Sequence, residues 1–300
     1  MWSCALSPVP FPLSPIPYPL SPVNPTLTRT LRLLGLLETG RGVETRIRMG
    51  QDRALPDAVI LGAQKCGTSS LHNYLTQHPQ VIAPLRKEVH YFDLNYDRGE
   101  RWYRAHFGRA GEPGLNLDSS PYYLFHPCVP QRMHRLLPQA SLIVLLRDPV
   151  RRAYSHYWHE FDKGREKLSF EAAIEAEPGR VEEAGRRLAT GEISRSREHQ
   201  FHSYLARGRY AEQLERWLEL YPRERLLVLR FEDLVQQPLG VLNDTLAFLN
   251  LPPVDSARLE PRNTRKYPPM ATVTADQLRA YYAADNRRLE QLLGRPMSWS

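Results

Sequence analysis

Cysteine is scarce in these 300 residues, and where it occurs it is isolated. Cys4, Cys66 and Cys128 form no CxxC pair and no Cys/His group at metal-ligand spacing, which argues against a disulfide framework and against a metal site. Long apolar runs are missing too. No stretch approaches the roughly 18–20 residues needed to span a bilayer, and proline interrupts the first 25 residues too often for a secretory leader. No stable membrane insertion is therefore expected, and a cytoplasmic location is the expectation that follows. There is no aromatic–basic repeat or recognition-helix pattern, so nucleic acid is not an expected partner.

What the chain has in quantity is positive charge and, at one end, proline. A net charge of +7 and a pI near 9.4 suit anionic partners, without choosing among them. Eight of the 26 prolines lie in the first 25 residues, in a near-repeat of seven beginning at Ser7, Ser14 and Ser21. Proline at that density excludes helix and sheet ladders and leaves polyproline II or disorder. Residues 1–57 are accordingly expected to be a disordered tail and residues 58–300 a single domain, a length ample for one buried core.

From Ala58 onward, short apolar runs alternate with helical patterns, the signature of a parallel sheet wrapped by helices. The expected class is α/β, a P-loop-like three-layer fold with a central parallel sheet flanked by helices. Its first strand, Ala58-Val-Ile-Leu-Gly62, feeds the loop Ala63-Gln-Lys65-Cys66-Gly67-Thr68-Ser69-Ser70 and then the helical Leu71-His-Asn-Tyr-Leu75. Such a turn aims backbone N–H groups and the helix dipole at one spot, where an anion is favoured. Lys65 adds a cation, and the three hydroxyls add donors. A nucleoside-triphosphate cradle needs Gly-x-x-x-x-Gly-Lys-[Ser/Thr], and here Thr68 stands where that lysine belongs. The loop reads as a site for a nucleotide with no γ-phosphate to clamp.

A second strand-to-helix junction follows at Ser141-Leu-Ile-Val-Leu-Leu146, running into Arg147-Asp148-Pro149, with Asp148 as helix cap and Pro149 at the first helical position. In a parallel sheet both junctions share the carboxyl edge where ligands bind. Arg147 and Ser155, two helical turns apart, can then flank a common anion. Residues 163–203 are charged, with helical pieces such as Phe170 to Glu177, and suit a lid or acceptor-facing insertion. A basic loop, Arg262-Asn263-Thr264-Arg265-Lys266, precedes the last helix.

Four segments in order, Gln64-Lys-Cys-Gly-Thr-Ser, Lys87-Glu-Val-His-Tyr-Phe-Asp, Arg147-Asp-Pro-Val-Arg-Arg-Ala-Tyr-Ser and Arg265-Lys-Tyr-Pro, resemble the sulfotransferases that use 3′-phosphoadenosine 5′-phosphosulfate (PAPS), most closely the heparan-sulfate-type and related bacterial carbohydrate enzymes. The resemblance covers roughly Ala58 to Met297. It implies that Lys65, Cys66, Gly67, Thr68 and Ser69 hold the 5′-phosphosulfate and that Arg147 and Ser155 grip the 3′-phosphate. It also implies that Tyr210 lies near the adenine and that Asn263, Thr264, Arg265 and Lys266 close over the 3′-phosphate. Glu88 matches the catalytic base, and His159 a histidine that assists transfer in the amine-sulfating branch. The implied partners are a nucleotide sulfate donor, used without a metal, and a polar acceptor such as a carbohydrate.

The chain also departs from the pattern. Ser119 stands where the heparan-sulfate enzymes commonly carry a lysine that helps bind an acidic acceptor, and Asn263-Thr264 stand where Lys-Gly is usual. Two other readings are a degenerate P-loop kinase or NTPase, disfavoured by the lysine position, and a non-catalytic polyanion-binding protein.

Overall fold

The computed structural model describes residues 40–50, 52–260 and 265–299. Five short strands, β1 (Ala58–Gly62), β2 (Val81–Ile82), β3 (Leu115–Ser119), β4 (Ser141–Leu146) and β5 (Leu226–Arg230), form one sheet in the order β2-β3-β1-β4-β5. Every neighbouring pair is parallel. β1 is buried along its whole length and β4 over all but its first residue. Strands covered on both faces need unbroken apolar runs, which is what Ala58-Val-Ile-Leu and Leu142-Ile-Val-Leu-Leu supply.

The helices that cover the sheet, in chain order, are α1 (Gly40–Arg48), α2 (Thr68–Leu75), α3 (Tyr91–Leu94), α4 (Glu100–Arg104), α5 (Val129–Leu136) and α6 (Pro149–Asp162). They continue with α7 (Phe170–Ala189), α8 (Arg197–Phe201), α9 (Tyr210–Leu218), α10 (Phe231–Gln236), α11 (Pro238–Phe248) and α12 (Thr272–Leu293). β1 lies between β3 and β4, in register Ala58↔Ser141 to Ile60↔Ile143 with β4, so the β1 and β4 exits open side by side. That shared exit positions the site.

Two stretches depart from expectation. The segment before Ala58, expected to be tail, is built into the domain where it is described. Arg46 on α1 donates to the carbonyls of Ala105 (3.1 Å) and Phe107 (3.0 Å), and the Asp57 carboxylate accepts from the Asn116 amide at 2.8 Å. The seven-residue proline repeat lies outside the described residues.

The second is α7, which runs unbroken for 20 residues through Pro178, where only separate helical pieces are expected. Proline inside a helix costs about 3 kcal/mol or more. Packing outweighs it: Phe170, Ala173, Glu177, Val181 and Leu188 are all buried. Glu177 also accepts from the amides of Leu205 (2.6 Å) and Ala206 (2.7 Å), tying α7 to the chain that leads into α9.

Candidate active site

The β1–α2 turn is a tight cradle. The Cys66 amide donates to the Ala63 carbonyl at 3.2 Å, closing the turn, and the amides of Ser70 (2.9 Å) and Leu71 (3.1 Å) donate to Gly67. Gly67 has φ 87° and a Cβ there would lie 2.9 Å from the Phe231 ring, so glycine is required on both counts. The first amides of α2 have no intrahelical acceptor by construction. Lys65, Gly67, Thr68, Ser69 and Ser70 line a cleft of about 860 Å³ at this edge of the sheet. Cys66 does not line it. Its side chain is fully buried and its Sγ lies 3.8 Å from the Tyr210 hydroxyl. A helix N-terminus would lower a thiol's pKa, but burial is the larger effect and pushes Cys66 up to about 11, leaving it inert.

The β4–α6 junction forms the adjoining wall. Asp148 caps α6 through the Val150 amide at 2.8 Å, with Pro149 at the first helical position as expected. Arg147 donates to the Lys65 carbonyl at 3.4 Å, which puts both cations on one cleft, and its guanidinium lies 4.7 Å from the Phe231 ring centre. Its Nε is buried without a partner. Ser155, on the second turn of α6, lines the same cleft. Burial, then the charges of Arg265, Arg147 and Lys163, lower Lys65 to about 8. Cations gathered with so little counter-charge describe an anion site.

Arg265 reaches the cleft from the loop before α12, held by an ion pair to Asp162 at the end of α6. Tyr267 anchors that loop by stacking on Trp158, with centroids 6.3 Å apart and planes 6° apart. Asn263 and Thr264 lie outside the described residues, and Lys266 does not line the cleft. Tyr210 is also displaced from its expected place beside an adenine. It is 1 % exposed, and its hydroxyl donates to the Arg147 carbonyl at 2.9 Å, so it supports the arginine from beneath the cleft.

Glu88 lines the same cleft as this cation group. Glu88 and His90 both hold left-handed backbone angles, φ 61° and 54°, uncommon for residues with a Cβ and a store of strain when they occur at a site. The segment is pinned from several sides. Glu88 N–H donates to Ser119 O (3.1 Å), His90 N–H to Ser120 Oγ (3.1 Å), and the Asn95 side chain to the carbonyls of Val89 and His90. Lys87 Nζ sits 2.6 Å and His90 Nε2 3.6 Å from the Glu88 carboxylate, and His90 Nδ1 is 2.7 Å from buried Asp93. Burial alone would raise Glu88, but His90 and Lys87 outweigh it and hold the carboxyl at about 2. Burial alone would lower His90, but Asp93 and Glu88 outweigh it and raise the imidazole to about 10. The result at neutral pH is an imidazolium between two carboxylates.

His159 lines the cleft. Burial, then Lys65 and Lys163, lower it to about 4, and its Nε2 accepts from Lys163 Nζ at 2.9 Å. His90, Asp93 and Arg207 were not singled out by sequence reasoning. The His90–Asp93 pair falls inside the Lys87–Asp93 segment, so the signal was the three-residue spacing of His and Asp beside the candidate base.

A family model described as "Sulfotransferase domain" matches residues 55–271. The membrane-associated sulfotransferase kil1 of Dictyostelium discoideum is 27% identical over 318 residues, covering 83% of this chain and 68% of its own length. Heparan sulfate glucosamine 3-O-sulfotransferase 6 of Mus musculus is 29% identical over 272 residues, covering 82% and 74%. Among solved structures, a sulfotransferase from Alicyclobacillus acidocaldarius superposes with a TM-score of 0.67 at 33% identity, over 82% of this chain and 98% of that one. With a family model spanning both strand-tip junctions and the Glu88 segment, the chain is a transferase that belongs to the sulfotransferase family.

Proposed function

We propose that this protein moves a sulfuryl group from PAPS to a carbohydrate hydroxyl or amine by direct in-line transfer, with Glu88 as the base. The observation that carries the reading is one cleft whose lining brings together Lys65, Arg147, Ser155 and Glu88. Lys65 and the α2 amides suit the 5′-phosphosulfate. Charge builds on the bridging oxygen as the sulfuryl group leaves, and fixed donors there stabilise the transition state more than the ground state. Arg147, with its unpartnered Nε, and Ser155 suit the 3′-phosphate, and Arg265 can exchange Asp162 for it.

A carboxylate held near pKa 2 is a weak base. It suffices if deprotonation lags attack, because the acceptor proton turns acidic once its oxygen begins to bond to sulfur. The Asp93-bound His90 imidazolium keeps Glu88 ionised and oriented. A hydroxyl is the better acceptor on this geometry, since the Nε2 of His159 already accepts from Lys163. A carbohydrate is favoured by the acceptor named for the mouse relative.

The test is labelled-sulfate transfer from PAPS into a panel of oligosaccharides, amino sugars and small phenols. Incorporation into oligosaccharides is expected. Incorporation into phenols alone would remove the carbohydrate reading. Thermal stabilisation by ATP–Mg²⁺ but not by adenosine 3′,5′-bisphosphate would replace it with a kinase-like one.

A further inference from the structure

Arg207, in the short turn between α8 and α9, is 3 % exposed, and no carboxylate of the described residues lies within ion-pair distance of it. A buried guanidinium without a counter-ion is costly to keep. What it has instead is a hydrogen bond from each of its three nitrogens. One terminal nitrogen donates to the Gln64 side-chain oxygen, Nε to Ser203 Oγ at 2.7 Å, and the other terminal nitrogen to the Gln200 carbonyl at 2.7 Å. Its plane lies 4.7 Å from the Tyr122 ring centre.

These contacts join separate walls of one space. Gln64 immediately precedes Lys65 in the anion-binding loop, Gln200 sits on α8 within the charged insertion, and both line the cleft with Tyr122 and Arg207 itself. A second cavity of about 350 Å³ shares Glu88, His90 and Gln200 with the first as lining residues. The insertion wall that Arg207 holds through Gln200 thus borders both cavities that Glu88 lines. Lysine has no equivalent: a single ammonium cannot present three donors in one plane to three fixed acceptors.

We propose that Arg207 is a positioning residue for sulfuryl transfer, setting the distance between the donor loop at Gln64 and the acceptor-side insertion at Gln200. This rests on the proposed PAPS-dependent reaction and adds to it the part that aligns its two substrates. Misalignment of this kind costs rate more than donor affinity, because Lys65 and Arg147 remain in place.

The experiment measures kcat for sulfuryl transfer and bisphosphate affinity in Arg207→Ala, Arg207→Lys and Gln64→Leu. Arg207→Ala and Arg207→Lys should each lose about 10²-fold in kcat, with bisphosphate affinity moving less than about threefold. Added guanidinium ion, and not ammonium, should recover at least about tenfold in Arg207→Ala by refilling the vacated planar slot. Gln64→Leu, which empties no buried site, should lose about tenfold in kcat and add nothing to Arg207→Ala. It carries the test if Arg207→Ala does not fold.

Parent-like kcat in Gln64→Leu or Arg207→Lys overturns the inference, as does an Arg207→Ala loss that guanidinium does not answer. A parallel fall in bisphosphate affinity also overturns it, by moving Arg207 into the donor cradle. If the parent protein transfers no sulfuryl group from PAPS, the proposed reaction fails and this inference with it. Parent-like variants of an active protein defeat the inference alone.

Discussion

The two ends of the cleft are built by different means. The donor end is made by the sheet: β1 and β4 are adjacent and parallel, so the loop at Lys65 and the junction at Arg147 emerge together, with the Phe231 ring beside both. The acceptor end is made by tertiary contact. Glu88 and His90 hold left-handed angles because Ser119, Ser120 and Asn95 fasten their backbone, and their charges are set by Lys87 and Asp93. A site assembled from strand tips tolerates loss of one side chain as a loss of affinity. A site assembled from an ion-paired, strained segment fails in rate.

The largest expected break in that contrast is Glu88→Gln, which should cut transfer by about 10²–10⁴-fold while leaving bisphosphate binding unchanged. Parent-like turnover would move the base elsewhere. On the donor side, Lys65→Ala should weaken bisphosphate binding by about 10–100-fold, the usual worth of a charge-assisted contact. An unchanged dissociation constant would remove Lys65 from the cradle.

The pH dependence separates the ends further. The folded pKa of Lys65 lies below its ordinary value, at about 8, so its charge is present below that pH and lost above it. kcat/KM for the donor should therefore fall above pH 8, by up to about tenfold per unit, and the fall should vanish in Lys65→Arg. Glu88, near 2, and His90, near 10, give no inflection between pH 5 and 8. The smallest effect is at Tyr210→Phe, which removes a bond beneath Arg147 and should cost about 0.5–1.5 kcal/mol of stability, read as a melting temperature lower by about 1–6 °C, with bisphosphate affinity nearly intact. A large loss of affinity there would put Tyr210 back against the nucleotide.

The same contrast explains what could be read in advance. Apolar runs feeding glycine or proline-capped turns are local patterns, so β1, β4, the Lys65 loop and the Arg147 junction were legible, and the sheet edge brought them together. Tyr210 was misplaced because a tyrosine at a helix start carries no sign of which way its hydroxyl points; here it points down to a carbonyl. The left-handed turn at Glu88 was not legible, since nothing local favours positive φ at glutamate or histidine. Nor was the Arg207 fork, whose partners lie up to 143 residues away in sequence. The unbroken α7 was hidden by Pro178, whose local cost is outweighed only by contacts that the fold supplies.

The most direct check is titration calorimetry of adenosine 3′,5′-bisphosphate against the parent protein, Arg147→Ala and Glu88→Gln, side by side. The account predicts parent-like affinity in Glu88→Gln and a loss of about 10–100-fold in Arg147→Ala. Equal affinity in all three proteins, or a loss confined to Glu88→Gln, would contradict a cleft in which Arg147 grips the nucleotide and Glu88 serves only as the base.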